Sequence, residues 1–249
     1  MDFSVIRLDR IDSTQSYLFS LDSKESLEEG TFVISRSQYD GRGQGKNVWE
    51  CEDDKNIVFS LLLQPHFLHP SEQFAITQCM SLSVVDFLAC YIEGDIWIKW
   101  PNDVYVGREK ICGMLIQNRL MGDLFDKSFC GIGINVNQRK FHFAPNPTSL
   151  ALQTDKEYDI DSLMDNLFKS IDNRYEQLRN NPKEALQEDY LNHLLYRNVW
   201  ADYIYMGERI KAMILGVNGF GHLIFQDESC KMHVAELKEL VFTHSGFIE

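Results

Sequence analysis

Between Arg36 and Trp49 the chain reads RSQYDGRGQGKNVW, with glycines at the alternate positions 41, 43 and 45. Glycines so spaced let successive N–H groups turn toward one point, and such backbone nests bind anions. Arg42 and Lys46 stand among them, so phosphate or carboxylate is the ligand class this segment suits; a flexible surface loop is the alternative reading. It is neither a P-loop, since G-x-x-x-x-G-K-[ST] is absent, nor a dinucleotide fingerprint, since no helix pattern follows. A second segment, Lys99-Trp100-Pro101-Asn102-Asp103, runs on to Arg108-Glu109-Lys110-Ile111-Cys112-Gly113. Pro101 breaks a strand and Asn-Asp fixes a turn through side-chain to backbone bonds. That places the acid Asp103 at the lip of a sheet, with Lys99 and Lys110 flanking the hairpin. A hairpin with solvated charges would account for Arg108 and Glu109, but accounts poorly for Lys99 and Trp100.

The elements that must position these groups follow from periodicity and punctuation. Asp12-Ser13-Thr14-Gln15 clusters capping residues before Tyr17, Leu18 and Leu21, which predicts a helix ending before Gly30. Thr31–Ser35 and Asn56–Leu63 read as strands, the second closed by Pro65. Ser71, Glu72 and Gln73 open a long helix through about Ile92, apolar nearly all round from Met80 onward, as in a helix buried against a sheet. Strands are expected over Ile96–Trp100, Val104–Val106, Ile111–Asn118 and Ser128–Val136, with turns at Gly107 and Met121-Gly122-Asp123. Leu163, Leu167, Ile171, Tyr175 and Leu178 mark an amphipathic helix over 161–179, and Asn181-Pro182 starts another. Beyond Val199, short strands at Arg209–Leu215, His222–Gln226, Lys231–Val234 and Leu240–Phe242 suit a small β-barrel. The class is α+β.

The chain has 249 residues and a formal net charge of -13, which argues against a protein whose main partner is nucleic acid or an anionic membrane. Any anion site must be a local basic patch, formed by Arg36, Arg42, Lys46, Lys99 and Lys110. No signal-peptide pattern and no apolar stretch near 18 residues is present, so a cytoplasmic location is expected. The six cysteines are scattered without a C-x-x-C pair, which suggests reduced, mostly core thiols. The seven histidines lack ligand spacing and suit solvated or structural roles. Phe141 and Phe143 suit a loop packed on the main domain rather than a stacking platform.

GRGQGKNVW, KWPND and GIGINVN (Gly131 to Asn137), in that order behind Ser13, Thr14 and Leu18, resemble the biotin protein ligases from about Asp12 through the C-terminal β region. Pro147-Thr148-Ser149-Leu150 resembles the family segment that follows. The resemblance implies a mixed sheet packed by helices, a biotin/lipoate ligase-like catalytic domain over 1–196, and a small SH3-like β-barrel domain over 197–249. It implies an ATP-dependent ligase in which biotin's carboxylate attacks the α-phosphate of ATP. The product, biotinyl-5′-AMP, then acylates a lysine of a biotin carboxyl carrier domain of a biotin-dependent carboxylase. Ser13, Thr14, Gln15, Gln38, Arg42, Gly43, Lys110 and Gly113 would hold biotin. Gly41, Arg42, Gly43, Lys46, Trp49, Asn102 and Asn135 would hold ATP or the adenylate, with Trp49 an aromatic wall. Lys110 and Arg42 would serve the chemistry, and Asp103 would orient or deprotonate the acceptor lysine. Mg²⁺ would come with the triphosphate and few protein ligands.

Two departures from the family pattern stand in the glycine loop: Gln44 where Arg is common, and Lys46 where Gly is common, with a glycine one place earlier at Gly45. Lys46 would restore the charge Gln44 removes. The alternatives are a lipoate ligase, whose R-R-x-x-G-G-G type loop this chain lacks, and a biotin-binding protein without catalysis. About a dozen residues precede Ser13, too few for a helix-turn-helix, so no DNA binding is expected. A monomer or weak homodimer is expected.

Overall fold

A computed structural model describes residues 1–43, 45, 48–181 and 183–243. Its core is a seven-stranded sheet in the order β1-β2-β3-β7-β6-β5-β4. The strands are β1 (Ser4–Ile11), β2 (Thr31–Gln38), β3 (Asn56–Leu63), β4 (Ile96–Lys99), β5 (Asp103–Val106), β6 (Glu109–Met121) and β7 (Leu124–Asn135). β1 runs parallel to β2 and every other neighbour is antiparallel, so the sheet is mixed. β3 is buried at all its positions, because both faces of the sheet are covered and alternation is lost.

On one face, α1 (Thr14–Lys24) packs Leu18 against Val33, Leu62 and Phe129. On the other lies α2 (Phe74–Ala89), where only Asp86 and Ala89 escape burial. It is sandwiched between Phe32, Leu61 and Leu63 of the sheet and the helices α4 (Ile160–Asn180) and α5 (Lys183–His193). The five apolar residues that predicted α4 are all buried. The turns at Gly107 and Gly122 have φ of +58° and +63°, a conformation that side-chain-bearing residues seldom adopt. Among the described residues no helix is long and apolar enough to cross a membrane.

A second, five-stranded antiparallel sheet follows: β8 (Trp200–Tyr205), β9 (Glu208–Val217), β10 (Leu223–Asp227), β11 (Met232–Ala235) and β12 (Leu240–Phe242), in the order β11-β10-β9-β8-β12. The joint between the sheets is specific. Trp100 Nε1 donates to Gly221 O at 2.8 Å, and Phe74 N donates to Gly219 O at 3.2 Å. Trp100→Phe removes a donor and leaves a buried carbonyl without its partner, so it should destabilise the chain by about 1–3 kcal/mol. A fall in the urea midpoint without change of slope would show it; an unchanged midpoint would deny the bond that role.

Several expectations change. β1, β8 and the short α3 (Leu150–Thr154) were not expected from the sequence. The helix opening at Ser71 begins instead at Phe74, since Pro70–Glu72 form a separate 3₁₀ turn capped by His69. Only Cys79, Cys112 and Cys130 are buried; Cys51 is half-buried, and Cys90 and Cys230 are exposed. Burial pushes the Cys112 thiol well up and that of Cys130 up to about 12, so these are inert. Pro182, expected at the start of α5, and His244 lie outside the described residues.

Candidate active site

The site grows from an absence of side chains. In GIGIN the glycines alternate with Ile132 and Ile134, which β7 sends into the core. Gly131 pairs with Ser60 and Leu115, and Gly133 pairs with Val58 and Gly113. Gly113, Gly131 and Gly133 therefore share the face that carries α1, forming a bare backbone floor beneath a cavity of about 380 Å³. The closeness of what lies on it is measurable: a Cβ at Gly133 would stand 2.3 Å from Trp49 Cε2, and one at Gly131 would stand 2.7 Å from Gln15 Oε1.

At one end stands the first turn of α1, capped by Ser13, whose side chain accepts from Ser16 N at 3.4 Å. Thr14 shares a hydrogen bond with Ser60 Oγ at 2.9 Å, and its N–H donates to Gln38 Oε1 at 2.7 Å. Gln38 is thus fixed with its amide nitrogen left as a donor. Gln15 is fixed the other way round. Its Nε2 donates to Phe129 O at 3.0 Å, Gln117 Oε1 at 3.3 Å and Leu115 O at 3.4 Å. Three acceptors around the nitrogen leave Oε1, buried and without a partner, to accept from whatever enters.

The charged end is built by the β5–β6 hairpin. Lys110 Nζ and Asp103 Oδ2 form an ion pair at 2.6 Å, both largely buried. Lys110 is pinned through its backbone as well, its N–H donating to Asn146 O at 2.7 Å and its carbonyl accepting from Thr148 N at 2.8 Å. The same 146–148 segment holds Asn135, whose Nδ2 donates to Thr148 O at 2.8 Å, so its unpartnered buried Oδ1 is also an acceptor. Asn102 Nδ2 donates to Met114 O at 2.7 Å and fixes the turn before Asp103. Arg42 is exposed, with Asp40 at 3.7 Å. Lys99 is buried, its ammonium 5.4 Å from the Phe242 ring and 5.8 Å from that of Tyr105. Trp49, whose indole lies on Gly113 and Gly133, has a buried Nε1 without a partner.

The cavity brings together Ser13, Thr14, Gln15, Gln38, Arg42, Gly43, Trp49, Asn102, Asp103, Lys110 and Gly113. Gly41 and Asn135 do not line it. Gln44 and Lys46 lie outside the described residues. Arg36 departs from the expected basic patch: it faces Asp54 and Asp9 and lines a different cavity. Strand alternation is the reason, since Ser35 and Ser37 turn inward and Arg36 outward. Phe143 is 87% exposed, not packed on the main domain. Sequence reasoning missed one wall of the cavity altogether, Leu237 and Lys238 from the turn between β11 and β12 and Leu240–Phe242 of β12; the apolar LVF run predicted a strand but not what it faces. Of the histidines, His66 and His193 bond backbone carbonyls and His233 pairs with Asp227.

Residues 8–135 match the model of the Biotin/lipoate A/B protein ligase family. The bifunctional ligase/repressor BirA of Bacillus spizizenii is 27% identical over 232 residues, spanning 90% of this chain and 67% of its own length. The biotin--[acetyl-CoA-carboxylase] ligase of Paracoccus denitrificans is 29% identical over 130 residues, 52% of this chain and 53% of that protein. Among solved structures, the biotin protein ligase from Aquifex aeolicus in complex with biotin and ATP superposes with a TM-score of 0.78 at 25% identity, covering 95% of this chain and 97% of that one. The chain belongs to the biotin/lipoate A/B protein ligase family.

Proposed function

We propose that this chain is an ATP-dependent biotin protein ligase, which forms biotinyl-5′-AMP and transfers the biotinyl group to a lysine of a biotin carboxyl carrier domain. The observation that carries the reading is Gln15: an amide whose oxygen is forced toward the cavity, set across the slot from a paired lysine. A ureido ring offers N–H donors and a carbonyl acceptor, which Gln15 Oε1 and the Gln38 amide nitrogen complement; the dithiolane ring of lipoate offers no N–H donor.

The ureido end binds at Gln15, Thr14 and Gln38, and the acyl chain runs beside the Trp49 indole, which itself occupies the floor at Gly113 and Gly133, so that its carboxylate reaches Lys110 and Arg42. Two anions must meet there. Lys110, held ready by Asp103, and Arg42 screen their repulsion and stabilise charge that builds on the phosphoryl oxygens. The Trp49 indole covers the adenylate against water, while Asn135, outside the cavity, acts from behind by holding the 146–148 segment that pins Lys110. In the second step Asp103, once Lys110 turns to the phosphate, orients the acceptor amine and takes its proton.

Mg²⁺ would neutralise the triphosphate. Asp103 is the one carboxylate among the described residues lining the cavity, and no cluster of three acidic, His or Cys groups suited to a metal occurs among the described residues. This donor set fits an ion carried mainly by phosphate oxygens and water. The reading includes a boundary between units near 196/197, a cytoplasmic location, and a monomer or weak homodimer.

The test is direct. Incubated with ATP, Mg²⁺, biotin and a carrier domain, the protein should give the amide adduct by mass, and lipoate in place of biotin should give none. A lipoyl adduct would assign the chain to the lipoate branch, and bound biotin without adduct would make it a binding protein.

A further inference from the structure

Glu50, next to Trp49, turns its carboxylate onto a loop that does not line the cavity. Its two oxygens accept from His142 N at 2.9 and 3.0 Å, from Phe143 N at 2.9 Å and from Gln138 Nε2 at 3.5 Å. Gln138, itself buried, closes the other side: its Oε1 accepts from Glu52 N at 3.1 Å and its Nε2 donates to Lys140 O at 2.9 Å. Trp49 N donates in the opposite sense, to Gly41 O at 2.9 Å. The indole is therefore carried on a short span of chain tied to Gly41 on one side and to residues 138–143 on the other. Those ties to Glu50 are backbone and amide N–H bonds converging on the two oxygens of one carboxylate, and carboxylate acceptors make strong hydrogen bonds.

We propose that Glu50 is a positioning residue, whose carboxylate fastens the 138–143 loop to the Trp49 segment and so keeps the indole seated on Gly113 and Gly133. The proposal rests on the ligase reading and names what holds its cover shut. When the cover lifts, a water oxygen adds to the acyl carbon of the adenylate and the bond from that carbon to the bridging oxygen breaks, the oxygen leaving on the phosphate of AMP. Free biotin carboxylate and AMP leave, with the proton passing to solvent.

The experiment follows AMP formed per carrier biotinylated, using the full chain with ATP, Mg²⁺, biotin and carrier domain. This ratio is independent of the fraction of active protein, because both quantities scale with it. Glu50→Ala should raise the ratio about tenfold, equivalent to ~1.4 kcal/mol of lost closure. Glu50→Gln, which keeps an oxygen for the His142 and Phe143 N–H groups, should return it most of the way. A ratio for Glu50→Ala equal to that of the unsubstituted chain overturns the proposal, and so does a Glu50→Gln variant that leaks as much as Glu50→Ala. An unsubstituted chain that forms no adduct overturns the ligase reading instead, and the proposal with it, so the two failures are distinguishable.

Discussion

Lys110→Ala should slow biotin-dependent ATP–pyrophosphate exchange by about a hundred- to a thousandfold, the loss that follows removal of one preorganised donor to developing charge. The residue is set for that role before any ligand arrives. Its backbone is tied at both N–H and carbonyl to the 146–148 segment, and its ammonium sits 2.6 Å from Asp103. Alanine does more than subtract a cation. It leaves Asp103 as an uncompensated carboxylate in a slot that must accept a carboxylate and a triphosphate, so repulsion rises where attraction was lost. Asp103→Asn keeps the cation and should cost less in exchange than in transfer to the carrier. A folded Lys110→Ala protein that exchanges pyrophosphate at the native rate would remove this lysine from the mechanism.

Gly133→Ala should weaken biotin binding by roughly five- to 150-fold, the equivalent of the ~1–3 kcal/mol that overpacking costs. The new methyl would lie 2.3 Å from Trp49 Cε2 and 2.6 Å from its Nε1, so the indole has to lift from the floor. Gly113→Ala, where the nearest indole atom is at 3.0 Å, should do less. Titration calorimetry of the two variants would rank them, and Trp49→Ala added to Gly133→Ala should recover part of the loss if the clash is the cause. Native affinity in both single variants would mean that the floor can give way.

Much of this was legible in the chain because local pattern and fold agree. The alternating GIGIN glycines define one face of a strand, the KWPND turn fixes its own geometry through Asn102, and the apolar spacing of α4 is all buried. What was not legible depended on partners distant in sequence. β1 alternates weakly because it is an edge strand, with only partial burial. Arg36 lies next to the glycine loop in sequence but is turned away by the alternation of β2. The orientation of Gln15 is set by carbonyls of β6 and β7, and the wall from β12 by docking of the second sheet; neither leaves a mark on nearby residues.

That wall bears on how the protein comes to be active during synthesis. Every group assigned to the chemistry lies ahead of residue 150, yet Phe242 packs on the Lys99 ammonium and residues 237–242 close one side of the cavity. A nascent chain can thus possess its whole complement of reactive groups and still lack a pocket. Competence to hold ligand arrives late, when the closing strand docks, and a cut that frees this strand should silence the site while the seven-stranded sheet stays folded.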